Sequence, residues 1–295
     1  MGIGYQSVDR WAYDYDLWFA DEGRLAFRGP EADLRQSGHV TFIGAAQTFG
    51  RFVDRPFPEM FRPFSKLPIA NLGISGAGPE RYLNDPFLPE VLSRSRYVFI
   101  QAMSGRSVSA GAFRVANNNG VSIFQDGPRK GEQHLAQDAY RILRTEYGED
   151  RYQEQVRGAQ QAWIERYVEL IEACEGRACI LWVSERPVES DLALDRSPVG
   201  VFPHFVDANC VRAVQERCNV PVIECVLPVM KADPIVNRFT GELEAAFTPE
   251  RFPNRPNHTR ALNTYYATRK LHEVVFSHLM KFVSQSPELA ADLLL

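Results

Sequence analysis

A three-layer α/β/α architecture around a five-stranded, mostly parallel, doubly wound sheet with a helical insertion is predicted by three features of the sequence. Five short apolar runs rich in β-branched and aromatic residues recur along the chain, and stretches with helical spacing separate them. The runs are continuously apolar rather than alternating, as strands covered on both faces require. At 295 residues the chain has the length of one large domain or two small ones, and one core is expected.

Residues 1–38 carry seven aromatics (Tyr5, Trp11, Tyr13, Tyr15, Trp18, Phe19, Phe27), dense for a chain that is 12% aromatic. Such an arm packs down, to cover a sheet edge or, interleaved with Asp14, Asp16, Asp21 and Glu22, to form a sugar-binding lip. The α/β domain then spans 39–295. Residues 39–44 read as the first strand, ending at Gly44, and a helix is expected around Phe52. The next strands are residues 67–72 (LPIANL), 97–103 (YVFIQAM), 178–183 (ACILWV) and 220–226 (VPVIECV). About 70 residues separate the third and fourth strands, longer than one crossover needs, so an inserted cap is expected at about 108–177. It holds the turn signal Asn117-Asn118-Asn119-Gly120 and two helices meeting near Gly148, and the pair fits a hairpin beside the site or a bare extension. In the second helix Ala159, Trp163, Tyr167 and Ile171 recur at fourfold spacing as one buried stripe.

Composition excludes several classes. With 45% hydrophobic and 24% charged residues the chain is globular. A net charge of −4 supplies no field for a polyanion, so nucleic acid is not an expected partner. No apolar run approaches the roughly 18 residues of a membrane span. Met1–Trp11 lacks a basic segment followed by an apolar one, so a cytoplasmic location, or assembly into a particle without export, is expected. Five cysteines without zinc spacing read as reduced thiols, Cys179 and Cys225 as buried packing. No metal site and no phosphate-binding glycine loop is recognised, so no cofactor is assigned from motifs.

Two loops carry the strongest signal. Gly44-Ala45-Ala46-Gln47-Thr48-Phe49-Gly50 follows the first strand and Asn71-Leu72-Gly73-Ile74-Ser75-Gly76-Ala77-Gly78 the second. Together they resemble the first two blocks of the SGNH hydrolase (GDSL-type esterase) superfamily, whose sheet is flavodoxin-like. The family's first block reads Gly-Asp-Ser-x-Thr-x-Gly; Gly44, Thr48 and Gly50 match, while Ala45 stands for the acid and Ala46 for the nucleophilic serine. Asn71, Gly73 and Gly76 match the second block, and the resemblance implies that Gly76 lends a backbone N–H to an oxyanion-type pocket. The third block, Gly-x-Asn-Asp, is replaced by Ser104-Gly105-Arg106-Ser107. The last, Asp-x-x-His, is approximated by Arg255-Pro256-Asn257-His258, with Arg255 in the place of the carboxylate. A closer resemblance is to bacterial proteins, mainly from alphaproteobacteria, that share Phe27-Arg28-Gly29-Pro30, Thr48-Phe49-Gly50-Arg51-Phe52, Arg55-Pro56-Phe57-Pro58 and Asn84-Asp85-Pro86.

A serine triad needs a hydroxyl to attack, an imidazole to take its proton and a carboxylate to orient the imidazole. Two of the three are missing, so ordinary ester hydrolysis is not expected. If the fold holds, Gln47, Thr48, Arg51, Ser75, Ser104, Arg106, Ser107 and His258 approach one crevice, and its arginines and backbone N–H groups suit an anion. Alternative roles stay open: a helix cap for Thr48 and His258, a salt bridge for Arg106. Glu185 and Asp207 stand at strand ends, either as substitute acids or as a solvent-facing group and a helix cap. Three functions follow from the resemblance. The first is non-hydrolytic transfer of an acyl or sulfuryl group to a surface or capsular polysaccharide, with His258 as base and an acyl-CoA or sulfate donor; acetyltransferases of capsule loci supply the analogy. The second is a glycan-binding or adhesive module of a surface assembly, oligomeric or particulate. The third is an esterase whose nucleophile has moved to Ser104 or Ser107.

Overall fold

The arm opens with helix α1 (Gly2–Asp9) and an antiparallel ribbon of β1 (Trp18–Ala20) and β2 (Leu25–Phe27). The domain continues with β3 (Val40–Ile43), α2 (Ala46–Phe49), α3 (Phe57–Phe61), β4 (Ile69–Asn71), α4 (Pro79–Leu83), α5 (Leu88–Arg94) and β5 (Tyr97–Gln101). An insertion follows: β6 (Phe113–Val115), β7 (Val121–Phe124), β8 (Gln133–Leu135) and α6 (Ala136–Tyr147). The chain returns through α7 (Glu149–Ala173), β9 (Ala178–Ser184), α8 (Ala208–Cys218) and β10 (Val222–Val226). A short pair, β11 (Asp233–Pro234) and β12 (Leu262–Asn263), precedes α9 (Arg269–Gln285) and α10 (Pro287–Leu293). This is a computed structural model that describes residues 2–116, 120–227, 233–243, 262–263 and 266–295.

The five predicted strands form one sheet of order β10-β9-β5-β3-β4, and every neighbouring pair is parallel. In chain order that is second-first-third-fourth-fifth, the flavodoxin-like order, which reverses direction between β3 and β5. Ligands of such sheets bind outside the carboxyl ends of the strands at that reversal. The loops after β3 and β5 therefore meet where a site is expected.

Both faces of the sheet are covered, which is why its strands read as unbroken apolar runs. Val98, Ile100, Ile180 and Trp182 point into a core shared with α4, α5, α7 and α8. Their neighbours Tyr97, Phe99, Cys179 and Leu181 point the other way, against Phe57 and Phe61 of α3 and Leu271, Val275, Leu279 and Val283 of α9. Among the described residues no helix is long and apolar enough to cross a membrane.

The region expected as a cap divides in two. Strands β6 and β7 pair antiparallel and β8 joins them in a three-stranded sheet, where only helices were anticipated. The turn signal expected at Asn117, Asn118 and Asn119 lies outside the described residues. Helix α7 packs against α6 and against the loop after β5, and it is also the crossover helix of the sheet itself. Ala159, Trp163, Tyr167 and Ile171 are all buried. Trp163 stacks on Tyr167 (ring centroids 3.9 Å apart) and donates Nε1–H to Met103 O at 2.9 Å. The Tyr167 hydroxyl donates to Gln101 O (3.0 Å) and accepts from Met103 N–H (2.6 Å), so α7 fixes the backbone leaving β5. The helix expected around Phe52 is instead four residues ending at Phe49. Gly50, at φ 76°, ψ 51°, adopts the left-handed conformation that stops it, with its N–H returned to Ala46 O.

His272, at the start of α9, is buried with Nδ1 accepting the Phe57 N–H at 3.2 Å. Burial, with a smaller push from the nearby charge of Arg28, takes its imidazole down to about 3 from the ordinary 6.5. The unfolded chain thus takes up a proton before the folded one does. Stability from this residue is complete above pH 6.5 and is lost as the pH falls from there through about 3. Burial also lowers His39 and His204, which act with the same sign. Urea midpoints are expected to fall between pH 7 and pH 5, and His272→Gln to flatten that fall; an unchanged profile in the variant refutes the assignment. Trp163→Ala is expected to lower the unfolding free energy by roughly 3–5 kcal/mol in urea titrations at pH 7, and a loss below 1 kcal/mol would contradict the anchoring role of α7.

Candidate functional site

The first loop leaves β3 at Gly44 and is bonded to both neighbouring strands. The Tyr82 hydroxyl accepts from Gly44 N–H (3.0 Å) and lies 2.7 and 2.8 Å from the carbonyl oxygens of Gly44 and Leu72. Gln101 Oε1, at the end of β5, accepts from Ala45 N–H (2.8 Å) and lies 3.2 Å from Thr48 Oγ1. Asn71 Nδ2, at the end of β4, donates to Thr48 O at 3.0 Å, and its Oδ1 accepts from Gly73 N–H at 3.1 Å. The crowding explains a motif glycine: a Cβ on Gly44 would fall 2.3 Å from Thr48 Oγ1 and 2.6 Å from Gln101 Cβ. Thr48, weighed as a helix cap, lies inside α2 with its hydroxyl turned to Gln101. Ala46 and Gln47 are the partly exposed residues of α2, and Gln47 Oε1 is buried without a partner.

Two arginines hold this loop from behind. Arg28 is buried and donates to the carbonyls of Phe49 (3.2 Å), Gly50, Val53 (2.7 Å) and Asp54 (2.9 Å). Burial lowers its guanidinium to about 10, so it stays charged at neutral pH. Arg51, expected to face an anion in the crevice, carries its own. Its Nε and Nη2 each meet Asp9 at 2.8 Å, and Nη1 donates to the Tyr266 hydroxyl at 2.6 Å. The guanidinium lies over the rings of Tyr5 (4.3 Å) and Phe52 (4.6 Å). Tyr15 donates to the same carboxylate at 2.8 Å. Ser75 hydrogen-bonds Tyr5 of α1, whose phenol burial pushes far up. Arg51 and Ser75 therefore sit beneath the arm.

The third loop presents Ser104, Gly105, Arg106 and Ser107. Ser104 and Ser107 are buried, and Ser104 Oγ has no partner among the described residues. Gly105 N–H donates to His204 O at 2.8 Å. Burial, reinforced by the charge of Arg106, holds the His204 imidazole well below its usual value, so it is neutral, and its Nδ1 is buried without a partner. Sequence reasoning passed over His204; a histidine in the loop that follows β9 was the available signal. Asp207 caps α8, its carboxylate accepting from Cys210 N–H (2.9 Å) and Gln160 Nε2 (3.1 Å). Glu185 is exposed at the end of β9, and partial burial raises its carboxyl. His258 and Arg255 lie outside the described residues.

Gly76 and Ser107 come together in a polar cleft that the second loop and α4 share with the start of the insertion; Glu80, Arg81, Ser109 and Arg114 also line it. Gln47, Thr48, Arg51 and Ser75 are not part of its lining. Among the described residues no group of three or more His, Cys, Asp or Glu is arranged to hold a metal ion.

The sequence profile of the family described as Domain of unknown function (DUF6473) matches residues 3–119 and 141–270. No curated protein matches. Among solved structures the chain is similar to a member of the lipolytic protein G-D-S-L family from Veillonella parvula, at 11% identity and TM-score 0.38 over 85% of this chain and 100% of that one. A structural-genomics protein from Lactobacillus plantarum gives 13% and 0.41 over 85% and 98%. A lipase from a goat rumen metagenome gives 14% and 0.40 over 82% and 96%.

Arg28→Met is expected to lower the unfolding free energy by roughly 2–5 kcal/mol, because four inward carbonyls lose their donor and a lysine cannot replace it at all four. Urea titration of Arg28→Met and Arg28→Lys tests this, and wild-type stability in either variant counts against the clamp.

Proposed function

The chain belongs to the family described as Domain of unknown function (DUF6473), and we propose that it is a non-hydrolytic protein of SGNH-like fold that transfers an acyl or sulfuryl group to a saccharide hydroxyl. One observation carries this reading: the first loop has a methyl group, Ala46, where the resemblance puts a nucleophile, and the hydroxyl the loop does hold, Thr48, is buried against Gln101 Oε1 at 3.2 Å. A covalent enzyme intermediate has no oxygen there to form on.

Transfer needs none. The acceptor hydroxyl oxygen bonds to the acyl carbon or the sulfur of an activated donor, acyl-CoA or phosphoadenosine phosphosulfate. The thiolate or phosphate leaves, and the hydroxyl proton passes to a base, the role assigned to His258. The protein's part is to hold donor and acceptor in line and to favour developing negative charge with backbone N–H groups such as that of Gly76. A rerouted serine is disfavoured by Ser104 Oγ, which no described base touches.

The test is direct. p-Nitrophenyl esters are expected to remain uncleaved above background, with no change in Ser104→Ala or Ser107→Ala. Acyl or sulfuryl transfer to capsular oligosaccharide is expected from one of the two donors, and His258→Ala is expected to abolish it at unchanged melting temperature. Ester turnover that depends on either serine overturns the reading. Saccharide binding with neither transfer nor sensitivity to His258→Ala replaces it with that of a glycan-binding module.

A further inference from the structure

We propose that the cleft between residues 76–84 and 107–116 binds an acidic sugar residue, a hexuronate-type unit with a carboxylate beside ring hydroxyls. The assignment names the acceptor class for the transfer proposed above and rests on that reading for turnover, though not for binding. The cleft has a volume of ≈ 200 Å³, the scale of a single sugar ring. One wall is the second loop with α4, the other the start of the insertion, so the site exists only because the insertion packs there.

Its lining leaves guanidinium donors unmatched. Arg81 gives Nη1 to Asp85 at 2.9 Å, while its Nε is buried without a partner among the described residues. Asp85 is already gripped by both Nη atoms of Arg24, each at 2.9 Å, so one carboxylate serves two guanidiniums. Arg114, exposed on β6, has no carboxylate partner among the described residues. Behind the wall Arg24 is shared between Asp85 and Asp21, and in the lining itself Arg81 and Arg114 stand against the single carboxylate of Glu80. A ligand carboxylate at Arg81 and Arg114 supplies a partner for Arg114 and an acceptor for the stranded N–H.

Glu80 decides the rest of the chemistry. Ser109 fixes it to the wall, donating its N–H to Oε1 (2.9 Å) and its hydroxyl to Oε2 (2.8 Å). The remaining lone pairs accept from ligand hydroxyl groups, which a bare inorganic anion does not have. The cleft therefore selects a molecule that is anion and hydroxyl donor at once, with Ser107 beside it.

Isothermal titration of the full chain with an oligoglucuronate tetrasaccharide, its carboxyl-reduced neutral counterpart and inorganic sulfate tests this. The acidic tetrasaccharide is expected to bind at least about tenfold more tightly than the neutral one, Arg114→Ala to weaken it by a similar factor with Arg114→Lys intermediate, and sulfate not to compete. No binding of the acidic sugar, equal affinity for both sugars, indifference to Arg114→Ala, or displacement by sulfate at the sugar's own concentration each overturns the proposal. Arg114-dependent binding without group transfer leaves the cleft standing and removes the transferase; transfer to a neutral acceptor that ignores Arg114→Ala does the reverse.

Discussion

The loop leaving β3 is set by buried positive charge. Its carbonyls at Phe49, Gly50, Val53 and Asp54 point inward, where an unpaired acceptor costs on the order of 1–3 kcal/mol, and one guanidinium, Arg28, satisfies all four. Arg51 ties the same loop to Asp9 on the arm. Both side chains are charged and nearly inaccessible, a costly arrangement unless every donor is used. The arm is thus part of the loop's fold: Tyr5, Tyr13 and Tyr15 pack on Phe49 and Phe52, and the tetrad Phe27-Arg28-Gly29-Pro30 belongs with Thr48-Phe49-Gly50-Arg51-Phe52 because the first supplies the donor for the second's carbonyls.

From that fixed loop the remaining geometry follows through the sheet. The order β4-β3-β5 puts the first loop between the second and third, and Asn71 and Gln101 reach into it from either side. The third loop is held from above by Tyr167 and Trp163 of α7. Little of the crevice depends on flexible surface contacts. The cleft beside it has one wall on the second loop and α4 and the other on the start of the insertion.

The strands and the α7 stripe were legible because burial on two faces leaves an unbroken apolar run and burial on one leaves a fourfold period. Asp207 was legible as a cap, since a carboxylate ahead of a helix has a local partner. What escaped notice were partnerships across long sequence separations. Nothing near Arg51 announces Asp9, more than forty positions upstream, so an arginine in a site loop read as open to ligand. Phe52, at φ 63°, read as helical because pattern alone does not register that Gly50 has already turned the chain. The strands of the insertion were missed because they are three or four residues long and only partly buried. His204 has its neighbours, Gly105 and Arg106, a hundred positions away.

The polar atoms of the first loop are turned inward: Gln101 meets Ala45 and Thr48, and Asn71 meets Thr48 O. The buried polar atoms that lack partners among the described residues lie mostly around that knot: Gln47 Oε1 in α2, Arg81 Nε in α4, Ser104 Oγ after β5, Arg186 Nε and His204 Nδ1 after β9. A buried polar atom that finds neither a protein nor a water partner costs roughly 1–3 kcal/mol, so such atoms call for one. They gather at the carboxyl end of one parallel sheet, where its strand order reverses, which is where a polar ligand of such a fold finds its partners, and Arg81 carries that cluster out to the lining of the cleft.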